Sequence, residues 1–74
     1  MSDPRFRDQG DKLGRFIEEA GEALAAAGKT VRFGWDSVNP TLPPAEQETN
    51  ENWLIREVAD LEEAIQKLKE DRGW

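Results

Sequence analysis

The chain has 74 residues, with sixteen acidic and ten basic side chains and a net charge of −6. Because it contains no cysteine and no histidine, disulfides, thiolate metal sites, thiol nucleophiles and imidazole-based triads are excluded. The length allows one small domain, and the acidic balance argues against binding to nucleic acid through phosphate neutralisation. No apolar run approaches the ~20 residues that span a bilayer, and no signal-peptide pattern is present, so we expect a cytoplasmic protein that does not bind membranes.

The first predicted element is a helix over residues 11–27. Its apolar residues recur at helical spacing in one stripe, which consists of Leu13, Phe16, Ile17, Ala20, Leu24 and Ala27. Asp3-Pro4 indicates a possible earlier start, since a capping acid followed by proline is typical of a helix N-terminus. Gly28 predicts the end of the helix, with Lys29 beside the negative end of its dipole.

A long loop over residues 28–42 is the next predicted element. Val31, Phe33 and Trp35 alternate as they would in a strand, but an intervening glycine and Pro40 argue against a sheet. A connection of this length in a very small domain is typically functional or disordered. Its bulky apolar side chains and two cations favour an ordered loop.

A second helix is predicted over about residues 50–71. Its seam has the 4, 3, 4, 3 spacing of a bundle or coiled coil and consists of Leu54, Val58, Leu61, Ile65 and Leu68. Thr49 or Asn50 can cap its start, Pro43-Pro44 can begin a short turn upstream, and Gly73 predicts its end.

Together these elements predict an all-α fold in one domain over residues 1–74, with two main helices joined by a long ordered loop into a hairpin. Narrow apolar seams on two helices cannot cover each other completely. We therefore expect the hairpin to assemble into an oligomeric helical bundle, a homodimer or a homotetramer.

Acidic pairs occur on both predicted helices. Glu19 and Glu22 are three residues apart, as are Glu57 and Asp60, so each pair lies on one side of its helix. At roughly 100° per residue, the second pair lies directly beside the apolar seam, on a flank that consists of Trp53, Glu57, Asp60, Ala64 and Lys67. On the first helix, the pair flanks small alanines that allow another helix to come close.

Packing on these flanks would bring four carboxylates together in a partly dry groove. Their mutual repulsion would then require a counter-charge, and Mg²⁺ or Mn²⁺ is the expected one because only oxygen ligands are present. The alternative is that these side chains are ordinary surface acids, since short acidic spacings arise by chance in a chain with sixteen acids.

The paired motif resembles the signature of MazG-type all-α nucleoside triphosphate pyrophosphohydrolases. Glu18-Glu19-Ala20-Gly21-Glu22 on one helix, followed by Glu57-Val58-Ala59-Asp60 on the next, is similar to the Glu-Glu-x-x-Glu and Glu-x-x-Asp halves of that signature. The similarity extends over about residues 13–68. The spacer between the halves is longer here than is usual in the family, and Lys67 stands where many relatives have asparagine.

The resemblance implies a MazG-like helical domain that hydrolyses an NTP or dNTP to the monophosphate and pyrophosphate with Mg²⁺. By position, Glu19, Glu22, Glu57 and Asp60 would be metal ligands. Glu18 would support a ligand or position the attacking water.

Four further residues are candidates for binding the substrate. Lys29, Arg32 and Lys67 could donate charge-assisted hydrogen bonds to phosphate oxygens, and Trp35, or Phe33, could stack on the base. The alternatives are a charge at a helix end, solvated surface cations, and aromatic packing against the helices. Two other functions stay open, namely a small acidic helical dimerising or interaction protein and a nucleotide-binding relative that does not hydrolyse its ligand.

Overall fold

The computed structural model describes the backbone of residues 4–74 and the side chains of residues 11–74. Helix α1 is Pro4–Phe33, a 3-10 turn is Pro44–Glu46, and helix α2 is Asn50–Arg72. The described residues contain no strand, only one isolated bridge that pairs Val38 with Thr49. The two helices pack against each other as an antiparallel hairpin, so the all-α prediction is confirmed for the single chain. Within the described part of the chain, neither helix has an apolar stretch long enough to cross a membrane.

Helix α1 is longer than the sequence predicts. The predicted end at Ala27 is wrong, because Gly28 stays helical and the helix continues to Phe33. The left-handed glycine that ends it is Gly34, with φ +96°, whose amide donates to the Thr30 carbonyl at 2.8 Å. The first six residues of the predicted loop over 28–42 are therefore helical. The start at Pro4 agrees with the earlier of the two possible beginnings.

The side chain of Asn50, the first residue of α2, explains why α1 continues through Gly28. Its buried side-chain amide donates to the carbonyls of Gly34 at 3.0 Å and Lys29 at 3.4 Å. The Gly34 carbonyl follows the last helical turn and has no partner within the helix, so an amide from a neighbouring element stabilises that end. The Asn50 backbone amide also donates to the Ser37 carbonyl at 2.9 Å. These bonds order the connection and attach it to the first turn of α2.

Helix α2 begins and ends where the sequence predicts. The Thr49 hydroxyl accepts a hydrogen bond from the Asn52 amide at 3.1 Å and caps the N-terminus. Gly73, with φ +72°, ends the helix in the left-handed conformation. The short turn predicted at the paired prolines is the 3-10 turn that starts at Pro44.

The face of α1 that contacts α2 is made of small residues. Ala26 is fully buried, and Ala23 and Thr30 are each 7% exposed. Ala64 of α2 is 1% exposed. Because these side chains are short, the two helix axes can approach closely.

The larger apolar stripe of α1 is only partly covered, since half of its residues are exposed. Ile17 is 62% exposed and Leu24 is 72% exposed. This stripe lies roughly 100° around the helix from the buried alanines. The seam of α2 is also only partly covered, with Val58 and Ile65 exposed. The smaller stripe of alanines, which the sequence indicates as allowing a close helix, is the one that packs against α2.

Two glycine substitutions test the end of α1. Gly28→Ala should raise the free energy of unfolding by about 0.5–1 kcal/mol, because the position is helical and an added Cβ meets nothing within 4 Å. Gly34→Ala should lower it by about 1–2 kcal/mol, because alanine is strained at φ +96°. Urea denaturation of both variants measures the two changes in the free energy of unfolding. Opposite signs to these would place the end of the helix at Gly28.

Candidate metal centre

Three carboxylates from the two helices meet at the middle of the hairpin. Glu19 and Glu22 of α1 and Glu57 of α2 each place one oxygen within 4.8 Å of the other two. The close approach of the alanine face brings them together, because Ala23 and Ala26 lie in the same turns of α1 as the two glutamates. Three of the four predicted ligands are therefore neighbours in space.

Glu57 is the most buried member of this acidic site. Its side chain is 7% exposed, and its Oε1 lies 3.5 Å from the Nη1 of Arg56. Its Oε2 is buried without a hydrogen-bond partner, and so is the Oε2 of the half-buried Glu19. A buried polar atom without a partner carries a desolvation cost of about 1–3 kcal/mol, and more when it is charged. A ligand that binds these two oxygens would remove that cost.

The charge of its neighbours acts on Glu22. The pKa of its carboxyl is raised above the ordinary value of 4.5, first by the negative charge of Glu19, then by desolvation, and then by the neighbouring Glu57 carboxylate. The neighbouring carboxylates therefore favour the protonated form of Glu22 relative to an isolated glutamate.

Glu22→Gln should raise the melting temperature at pH 7. A raised pKa means that the folded state binds the proton more tightly than the unfolded state does, so its stabilising contribution is present at low pH. That contribution is lost as the pH rises through the folded pKa, where the third negative charge appears. Thermal melts of the metal-free protein at pH 7 and below 4.5 measure the effect.

Glu62→Gln is the matched control, since Glu62 is an exposed acid on α2 outside the site. The gain in Glu22→Gln should shrink at the lower pH and be absent from the control. A gain of equal size in both variants, or one that is independent of pH, would contradict the assigned cause.

The two other predicted acids lie beside this group. Asp60 is half-buried one turn after Glu57 on α2, but it is not one of the three acids whose oxygens meet. Glu18 is exposed on α1, and its charge is one of the smaller contributions to the raised pKa of Glu22.

The four predicted substrate-binding residues lie at different places in the hairpin. Lys29 lines a pocket at the end of α1, with its Nζ 5.5 Å from the centre of the Phe33 ring. Arg32 is exposed, and its guanidinium lies 5.1 Å from the centre of the same Phe33 ring. Trp35 is exposed in the connection, and Lys67 is exposed on α2, ten residues and roughly 15 Å along the helix from Glu57. Of these four, only Lys29 lines the pocket.

Arg56 is the residue that sequence reasoning missed. Besides the ion pair with Glu57, its Nη2 donates to Glu48 of the connection. That hydrogen bond is the main cause of the raised pKa of Arg56. The signal available in the sequence was its place beside Glu57, but only the folded chain brings Glu48 to it. The acids therefore have one fixed counter-charge of their own.

The donor set suits a small hard cation. The group offers carboxylate oxygens from two helices, and carboxylate and water oxygens are the ligands that Mg²⁺ and Mn²⁺ prefer. Two of its oxygens are buried and unpartnered. The residues present therefore fit a divalent cation with oxygen ligands.

No family model, curated protein or solved structure matches the chain.

Proposed function

We propose that the chain is a Mg²⁺-dependent nucleotide pyrophosphohydrolase that converts an NTP or dNTP to the monophosphate and pyrophosphate. The observation that carries the proposal is the buried Glu57 carboxylate, whose unpartnered oxygen lies in a group of three acids from two helices. The resemblance of the Glu18–Glu22 and Glu57–Asp60 motifs to MazG-type enzymes supports the same chemistry.

In this proposal Glu19, Glu22 and Glu57 hold Mg²⁺, with Mn²⁺ as a substitute, and Asp60 completes the set from the next turn of α2. The cation supplies charge neutralisation at the phosphates and lowers the pKa of a coordinated water. Glu18, which is exposed next to Glu19 on α1, orients water. Lys29 and Arg32 at the end of α1 add positive charge for phosphate oxygens.

An assay of pyrophosphate release tests the proposal. Each common ribo- and deoxyribonucleoside triphosphate is incubated with the protein and Mg²⁺, and with Mn²⁺ in parallel, and the products are separated by ion exchange. We expect monophosphate and pyrophosphate in equal amounts from at least one substrate. Release of orthophosphate would place the cleavage at the other anhydride bond, and no turnover of any nucleotide would contradict the proposal.

A second candidate is a small helical interaction protein, and the exposed apolar stripes favour it. Leu13, Ile17 and Leu24 form a solvent-facing row on α1. Such a row is typical of a surface that binds another protein chain. In this case the three acids would be surface charges, and their substitution would leave the function unchanged. If the chain instead binds nucleotides without hydrolysing them, it would bind the nucleotide in the same assay mixture and release no product.

Under either function we propose that the chain is a homodimer or a homotetramer. Large apolar side chains of both helices are exposed in the described part of the chain, among them Ile17, Leu24 and Ile55. The exposed row on α1 supplies apolar side chains for that interface, and we propose a second copy of the chain as its occupant.

Leu24→Lys should dissociate the oligomer, because a lysine in the apolar row would bury a charge at the interface. Light scattering after size exclusion should give a mass of two or four chains for the wild type and one chain for Leu24→Lys. Ala25→Lys is the control, since Ala25 is exposed on another side of the same helix. A wild-type mass of one chain, or the same loss in both variants, would contradict the assigned interface.

A further inference from the structure

A second concave site lies beside the acidic site, between the end of α1, the connection and the start of α2. It is a pocket of about 730 Å³, within the usual range for small-molecule sites. Apolar side chains line most of it, among them Phe33 of α1, Val38, Pro40 and Leu42 of the connection, and Trp53 of α2. The hydrogen bonds that attach the connection to Asn50 hold these walls in place.

Cations stand next to the two aromatic walls. Lys29 lines the pocket beside Phe33, and Arg56 lines it one turn of α2 from Trp53. No carboxylate of residues 11–74 forms an ion pair with Lys29. A planar ring binds well against aromatic side chains, and a lysine and an arginine bind phosphate.

Arg56 belongs to both sites. It lines the pocket, it donates to Glu48 on the pocket wall, and its Nη1 lies 3.5 Å from Glu57 of the acidic site. A guanidinium has five N–H donors, so donors remain for a third partner after these two contacts. An anion in the pocket would draw the guanidinium toward itself and weaken its pairing with Glu57.

We propose that this pocket binds the nucleoside monophosphate part of a nucleotide and that Arg56 couples its occupancy to cation binding at the acidic site. The ring lies between Phe33 and Trp53, and the phosphate is bound by Lys29 and Arg56. When Arg56 pairs with the phosphate, the Glu57 Oε1 loses its cationic neighbour and is available to the cation. The coupling rests on the proposed function, whereas binding to the pocket in the absence of metal does not.

Calorimetric titration of the full chain with three probes tests the pocket. In EDTA, AMP should bind at least about tenfold more tightly than adenosine or inorganic phosphate, because only AMP has both the ring and the anion. In ¹⁵N spectra, AMP should shift the Trp53 indole and the amides of residues 37–42. Equal affinities for AMP and phosphate, or shifts confined to the neighbourhood of Glu19 and Glu57, would overturn the assignment.

Three variants test the residues of the pocket. Arg56→Gln should weaken AMP binding by about tenfold, whereas Arg72→Gln, an exposed arginine on the same helix, should leave it unchanged. Glu48→Gln should strengthen AMP binding, because it removes the carboxylate that competes for Arg56. A gain of affinity cannot come from misfolding. Unchanged affinity in both Arg56→Gln and Glu48→Gln would overturn the proposed role of Arg56.

Trp53→Leu and Trp74→Leu give a matched pair for the aromatic wall. Trp53 is half-buried in the pocket and Trp74 is exposed beyond α2, so only the first substitution should weaken AMP binding. The same loss from both tryptophans would contradict a ring-binding pocket.

Mg²⁺ tests the coupling. It should raise the affinity for AMP in the wild type, AMP should raise the affinity for Mg²⁺ by the same factor, and Arg56→Gln should abolish both effects. If AMP binds in EDTA and Mg²⁺ leaves its affinity unchanged, the pocket stands and the coupling is overturned. If the wild type shows the coupling and releases no pyrophosphate, hydrolysis is what fails, and both sites stand.

Discussion

Glu57→Gln is expected to lower kcat/KM for pyrophosphate release by at least about a hundredfold, which corresponds to the several kcal/mol that metal-ion catalysis contributes. Glutamine has the same shape as glutamate, so the 7%-exposed side chain still fits between the helices. What changes is the charge, because a neutral amide is a poor ligand for Mg²⁺. Arg56 keeps its hydrogen bond with Glu48.

The folded state of this variant provides the control. In metal-free buffer at pH 7, Glu57→Gln should melt no lower than the wild type, since it removes one of three neighbouring negative charges. Glu19→Gln should lose activity in the same way, and Glu62→Gln should keep it. Full activity in Glu57→Gln would contradict the metal-dependent mechanism.

Mg²⁺ is expected to raise the melting temperature of the wild type by roughly 5–10 °C when its concentration is ten times the dissociation constant. Binding to the folded state alone then stabilises by about 1.4 kcal/mol, and in a domain of this size each kcal/mol corresponds to roughly 4–8 °C. Relief of the unpartnered oxygens of Glu19 and Glu57 is the structural source of that stabilisation. Differential scanning fluorimetry across a Mg²⁺ series gives the shift and its midpoint.

Salt alone stabilises an acidic chain, so NaCl at matched ionic strength is the necessary comparison. The shift should exceed that of NaCl, persist in Glu62→Gln and disappear in Glu57→Gln. A shift of equal size with NaCl, or one that persists in Glu57→Gln, would mean that the acids do not form a cation site.

Local signals in the sequence were enough for much of the fold. The second helix has one strong N-terminal cap, Thr49, and one C-terminal glycine, Gly73, and the helix begins and ends at these two residues. The first helix has two glycines near its end, and the sequence does not decide between them. The choice is made by the side chain of Asn50, sixteen residues after Gly34, which bonds to the carbonyls of the longer helix. A contact between distant residues of this kind is invisible to a reading of periodicity.

The candidate site likewise combines features that local sequence patterns predict with features that depend on contacts between distant residues. The spacing of the acids placed Glu57 beside the seam of α2, and the alanines of α1 indicated a close helix, and these two features bring three acids together. The hydrophobicity of the larger stripe does not say how far it is covered, because coverage depends on which stripe allows the closest approach. Arg56 and the pocket depend on the path of the connection, which side-chain patterns do not determine.

The buried residues of α2, Asn50, Glu57 and Ala64, are spaced by seven. Sliding α2 along its partner by two turns would therefore bring one buried position onto the place of another, and small residues oppose such a slip weakly. The amide of Asn50 opposes it strongly, since a slipped helix would leave a buried amide without carbonyls at a cost of about 1–3 kcal/mol. The register of the hairpin is thus set at one end, and the three carboxylates, roughly 10 Å away, owe their meeting to a residue that never touches them.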